Sequence, residues 1–209
     1  MDFRATPPET FSARNGAVMG LVLTSQPAVE PLTVDEVKTY LRIDHDDEDC
    51  LLASLITSAR FQVEAALDLA LITQSWSWTF DAWPKGNALE LPIGFVQSVQ
   101  AVRVTARDGT VSEVSPDQFA LEGGRIPPRL VAKSGDWPKP GVPALGIEIA
   151  FTAGFGSEPS DVPEPIRQAL LMLVAHWYEH RDPAEIGGPA TRIPEAVSAL
   201  LKPYSRVRL

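Results

Sequence analysis

The feature that most constrains this chain is a double switch in hydrophobic period. Apolar residues recur every three to four positions between Val34 and Ala70, every second position from Trp76, and every three to four again from Ile166 to Tyr178. A helical repeat buries no face as a strand, and strict alternation buries no face as a helix. The chain must therefore build helices, then a sheet, then helices again. The expected fold class is α+β, mainly an α-helical bundle with an inserted small antiparallel β-module.

The boundaries follow from capping and turn chemistry. Thr33 with Glu36 three residues later makes a capping box, and Val34, Val37 and Leu41 follow at helical spacing. The acidic run Asp44, Asp46, Asp47, Glu48 and Asp49 leads into a long second helix. Its apolar stripe is Leu52, Leu55, Ile56, Ala59, Val63, Ala66, Leu67 and Ala70, with Ser58, Arg60, Gln62, Glu64 and Asp68 mostly facing elsewhere. Trp76, Trp78 and Phe80 alternate with Ser77, Thr79 and Asp81 as in a half-buried strand. Strands are also expected near Ala101–Arg107 and Val111–Val114, joined across Asp108-Gly109, and at Phe119–Leu121, Arg129–Ala132 and Ile147–Phe151. Pro165 suits the first turn of a central helix bearing Ile166, Leu170, Leu173, Val174, Trp177 and Tyr178, which Pro183 stops. A last short helix with Val197, Leu200 and Leu201 lies between Pro194 and Pro203. It is too short to stand alone and must pack on its own body or on a partner. The expected organisation is thus a flexible tail over 1–17, an extended arm and helices over 18–73, the β-module over 74–156, helices over 157–201, and an extended basic tail over 202–209. Met19 is an alternative start.

Composition narrows the function classes. The chain has 209 residues with 27 Asp+Glu against 18 Lys+Arg, a net charge of −9. That argues against a surface that coats nucleic acid, which needs clustered cations, but not against a passage that DNA merely slides through. The lone Cys50 excludes an intramolecular disulfide framework and a cysteine zinc finger. No apolar run approaches the length of a membrane span, and Asp2 and Glu9 break any signal-like start.

Several strings invite chemistry. His176-Trp177-Tyr178-Glu179-His180 matches the H-x-x-E-H pattern of inverted zinc peptidases, in which His176 and His180 would share a zinc and Glu179 would polarise water. A third ligand is required, and beyond His180 the acidic residues are Glu185 and Glu195. The plain alternative is a helix C-terminus where His180 and Arg181 suit the dipole. The acidic run 44–49 lacks the glycine and late glutamate of a calcium loop, and helix capping explains it better. Trp76, Trp78, Trp83 and Trp137 could stack sugars or single-stranded bases, yet alternating aromatics more often form the buried face of a sheet. The glycine pairs have no following phosphate-binding helix, and no nucleophile elbow exists. Nothing here amounts to an active site, and no cofactor is implied. One feature points outward: residues 202–209 carry Lys202, Arg206 and Arg208 and no acidic side chain, with Tyr204, Val207 and Leu209 as apolar anchors. This is either a solvated terminus or a tail that binds a partner.

The arm Gly20–Glu30 is followed by "PLTVDEVKTYLRIDHDDEDCLLASLITSAR", "LITQSWSWTFDAWP" and "LELPIGFVQSVQAV", then "IEIAFTAGFG", "VPEPIRQALLMLVAHWYEHRD" and "IPEAVSALLKPYSRVRL". In this order and spacing, over about 20–209, the chain resembles the head–tail adaptor (connector) proteins of long-tailed phages and of phage-derived gene transfer agents. The resemblance implies a non-enzymatic virion component at the particle neck, assembled in the bacterial cytoplasm. It implies a ring of identical copies, twelve-fold in the well-known members, docked on the portal protein. That ring would extend the DNA channel and offer its far face to the next tail-completion (stopper) protein, with no specific DNA binding and no membrane. On this reading Val197, Leu200, Leu201, Lys202, Tyr204, Arg206, Val207, Arg208 and Leu209 are the expected portal-contact residues, and His176, Glu179 and His180 are structural. An acidic channel face would let DNA slide by repulsion.

Overall fold

The computed structural model describes residues 19–133, 135–180 and 194–205. The chain divides into two compact units. One takes the chain up to Gln26 together with Gln74–Gly154, and the other takes Pro27–Thr73 with the chain from Phe155 onward.

The first unit is all β. Its strands are β1 (Met19–Ser25), β2 (Gln74–Phe80), β3 (Ala88–Glu90), β4 (Val96–Thr105), β5 (Val111–Glu113), β6 (Phe119–Glu122), β7 (Arg129–Ala132) and β8 (Ile147–Ala153). They form a five-stranded sheet in the order β1-β2-β8-β4-β5 and a three-stranded sheet in the order β3-β7-β6, with every pairing antiparallel. The register sets Trp78 against Ile149 and Phe80 against Ile147, so the bulky side chains of β2 and β8 share one face. Ile147, Ile149, Phe151 and Ala153 are fully buried at every second position of β8, the pattern of a strand with one face in the core. Strand β4 starts five residues earlier than its alternation suggested. Its pairing with β8 shifts between Val96 and Ser98 and again between Val99 and Ala101, and each bulge resets the phase that alternation would track. The Asp108-Gly109 turn is as expected: Gly109 has φ 84, and the Thr110 N–H donates to Asp108 Oδ1 at 2.9 Å. That backbone hydrogen bond holds the Asp108 carboxyl below its ordinary pKa.

The second unit is helical: α1 (Val34–Leu41), α2 (Asp49–Leu67), α3 (Glu164–Glu179) and α4 (Glu195–Leu201). Thr33 caps α1 with the full reciprocal box, its hydroxyl accepting from the Glu36 N–H while the Glu36 carboxylate accepts from the Thr33 N–H at 2.7 Å. The core joins Val37, Leu52, Ile56 and Val63 to Ile166, Leu170, Leu173 and Val174. Leu71 and Ile72 are likewise buried, and the chain at Ile72–Thr73 lies against Gly156, with the Thr73 N–H donating to the Gly156 carbonyl at 2.9 Å. Glu48, the N-cap of α2, makes no side-chain cap hydrogen bond. The acids before it instead hold Lys38, which pairs with Asp46 and, at 3.0 Å, with Asp49.

Three expectations need correction. With four helices and eight strands among the described residues, the α+β class stands, but a mainly helical bundle does not. The 18–31 arm yields a seven-residue edge strand paired to β2, and β3 is too short to show any period. Arg60 and Glu64 do not face solvent, since both are buried within the helical unit. In addition, α2 is long and apolar enough, by length and composition, to cross a membrane. Arg60 and Glu64 hide that in a reading that looks for uninterrupted apolar runs.

Candidate interaction site

The expected partner-binding residues sit at the end of the helical unit. Helix α4 packs along α3, and Val197 and Leu201 are buried in doing so, at 0% and 5% exposed. These two side chains are therefore spent on the chain's own core and offer no contact surface to a partner. A seven-residue helix is stable only through such packing. Leu200 and Tyr204 are half-buried and Lys202 is exposed. The Tyr204 ring meets Phe155 edge-on at 6.5 Å, which anchors the turn Lys202–Tyr204 that follows α4. Arg206, Val207, Arg208 and Leu209 lie outside the described residues, as do Pro183 and Glu185.

The H-x-x-E-H string closes α3. The His176 and His180 rings lie 4.6 Å apart, as one helical turn dictates. His180 Nδ1, however, is 2.9 Å from the His176 carbonyl, and its ring serves the helix end. His176 and Glu179 border a groove of about 480 Å³ with Tyr40, Leu41, Arg42, Met172, Ala175 and Pro194. Among the described residues no group of three or more His, Cys, Asp or Glu side chains could hold a metal. Glu195 therefore supplies no third ligand to the pair, and Glu185, the other candidate, lies outside the described residues.

Three of the four candidate tryptophans are likewise committed. Trp78 is buried, and Trp83 stacks on Trp137 at 4.4 Å and 11° while its indole N–H donates to the Pro138 carbonyl at 2.8 Å. The Trp83 and Trp137 faces that a base or sugar would need are turned on one another, while Trp76 is half-buried in β2.

Sequence reasoning missed the polar struts of the helical unit. Arg60 donates to Glu30 at 2.7 and 3.2 Å and to Glu64 at 3.0 Å, while the other oxygen of Glu64 accepts from the Leu71 N–H at 2.9 Å. Burial works against the Arg60 charge, but the hydrogen bonds and charges of Glu30 and Glu64 outweigh it and raise its pKa. Arg167 of α3 pairs with Glu36 of α1, and the Tyr178 hydroxyl donates to Glu48. The i,i+4 spacing of Arg60 and Glu64 was the available signal; Glu30 lies thirty residues away and left none.

A sequence model of the head completion protein family matches residues 30–207. No curated protein matches. Among solved structures, a chain in the neck of an empty gene transfer agent particle computed with C6 symmetry is 30% identical, with a TM-score of 0.77 over 90% of this chain and 97% of that one. A chain of the virion of a native gene transfer agent particle is 29% identical, with a TM-score of 0.78 over 90% and 96%. A chain in the neck of a native particle computed with C12 symmetry is 30% identical, with a TM-score of 0.73 over 90% and 97%.

Proposed function

The chain belongs to the head completion protein family, and from that premise we propose that it is the structural connector between the head and the tail of a phage-like particle. It sits in the particle neck, as the matched chains do in gene transfer agents. The observation that carries this reading is similarity over nearly the whole of both chains, at 30% identity. A shared fold alone would say less, because one fold hosts many functions.

In this role identical copies form a ring on the portal protein, and the far side of the ring receives the next tail-completion protein. Assembly is templated: a portal ring presents many equivalent sites, so each bound copy raises the effective concentration for its neighbours. Lys202, Leu200 and Tyr204, with the basic residues Arg206 and Arg208 and the apolar Val207 and Leu209, make the portal contact. A cationic tail on a chain of net charge −9 gives that contact its polarity. The acidic remainder lines the DNA passage without gripping phosphate.

Co-sedimentation with the cognate portal ring tests this, comparing the full chain with one ending at Leu201. The full chain is expected to travel with the ring and the shortened chain to stay behind. If neither travels with the ring, the connector reading fails. If both do, only the choice of contact residues fails.

A further inference from the structure

The outward face of α2 carries no charged side chain along most of its length. Between Asp49 and Asp68 the only charged side chains are Arg60 and Glu64, and both are buried. Besides Cys50, Ala53 and Ala66, α2 exposes Leu51, Ser54, Ser58, Phe61 and Ala65. Their steps of three, four, three and four residues place them in one straight seam, the period with which one helix packs along another. Phe61 is 47% and Leu51 37% exposed. The Ser58 hydroxyl donates back to the Ser54 carbonyl at 2.8 Å, so it asks nothing of a partner. Leu51 and Phe61 are the large apolar side chains exposed on it, with small uncharged residues between them.

We propose that this seam is the lateral contact between neighbouring copies of the chain in the ring. The proposal rests on the ring reading above and adds the surface that closes it. Two considerations select a second copy as the occupant. The first is charge: copies that each carry −9 repel, so a contact between them belongs where ionised groups are absent. A basic partner would instead seek the acidic surface. The second is area. The seam is about 21 Å long on a helix roughly 10 Å across. It hides about 200 Å² per partner, well under the roughly 600 Å² per partner at the low end for a stable complex. Such a contact fails between free molecules and holds once a template seats them side by side. In a rotational ring it must also meet a different patch of the neighbour, since head-to-tail contacts join unlike surfaces.

The test titrates the full-length chain onto the cognate portal ring. Ala65→Glu and Phe61→Glu are compared with the unaltered chain after circular dichroism shows that they fold equally. Ala65 is exposed, so its variant carries the test if loss of Phe61 from beside the Arg60 guanidinium, 4.3 Å away, disturbs folding. The unaltered chain is expected to fill rings cooperatively. Both variants are expected to bind singly, with loss of cooperativity and an apparent affinity about a hundredfold weaker, the scale on which linked sites exceed separate ones. Cys50, the sole cysteine, supplies an independent reading: its alkylation is expected to slow in filled rings relative to the free chain. Cooperative filling by Ala65→Glu, or an unslowed Cys50, overturns the proposal. Loss of even single-site binding by Ala65→Glu also overturns it, because the seam would then belong to the portal. If the unaltered chain never binds the ring, it is the connector reading that has failed.

Discussion

Arg60→Met separates charge pairing from packing in the interior of the helical unit. Arg60 is 2% exposed and bridges Glu30 and Glu64. Methionine keeps an unbranched apolar stem in the same space, so the change is chiefly electrostatic. It takes the Arg60 cation away from the Glu64 carboxylate, which stays buried and still accepts from the Leu71 N–H. Glu30 is partly exposed and can turn to water. Removing one member of a buried pair costs about 3–5 kcal/mol. At about 2–4 °C per kcal/mol for a chain of this size, the melting point falls by about 6–20 °C. Thermal melting followed by the helical circular dichroism signal measures it. The decisive comparison is Arg60→Met with Glu64→Gln. Glutamine keeps an acceptor for Leu71 and removes the stranded charge, so the double variant is expected to recover more than half of the loss. A double variant as unstable as the single one would refute the reasoning, because the cost would then lie in packing.

Acid sensitivity should pass through the cap of α1. Burial pushes the Glu36 pKa up, but hydrogen bonds from Thr33 and the charge of Arg167 outweigh it and leave it below 4.5. Its contribution is therefore complete above the unfolded value and lost as pH falls through the lower folded one. Glu36→Gln is expected to flatten the dependence of melting temperature on pH below about 4.5, and an unchanged slope would count against the cap. Gly141→Ala should be costly: a Cβ there would stand 2.1 Å from the Arg107 nitrogen and 2.7 Å from the Ala106 carbonyl carbon. Overpacking against backbone costs about 1–3 kcal/mol, read by denaturant unfolding. A chelator is expected to leave the melting point unchanged, and stoichiometric zinc lost in His176→Ala would contradict that.

Much of this architecture was legible because it depends on neighbours in sequence. The Thr33–Glu36 box, the Asp108-Gly109 hairpin and the alternation of Ile147, Ile149 and Phe151 each follow from contacts within a few residues, or from one face meeting water. Short or phase-shifted strands escaped the same reasoning. The residues of β3 are too few to show a period, and the bulges of β4 reset its alternation partway. The candidate site was legible to a similar limit. The short helix with its apolar face and basic tail could be seen, yet whether Val197 and Leu201 faced a partner or α3 could not.

That last choice marks the division. Period, caps and turns are local, and through them the residues alone determined which segments are helices or strands and where most of them stop. Burial is a property of the assembled chain. Whether Arg60 meets water or Glu30, whether Val197 is an anchor or core, and whether the face of α2 stays uncovered all depend on segments brought together from far along the chain. A desolvated charge is tolerated only once its distant partner has arrived, and no local rule specifies that partner.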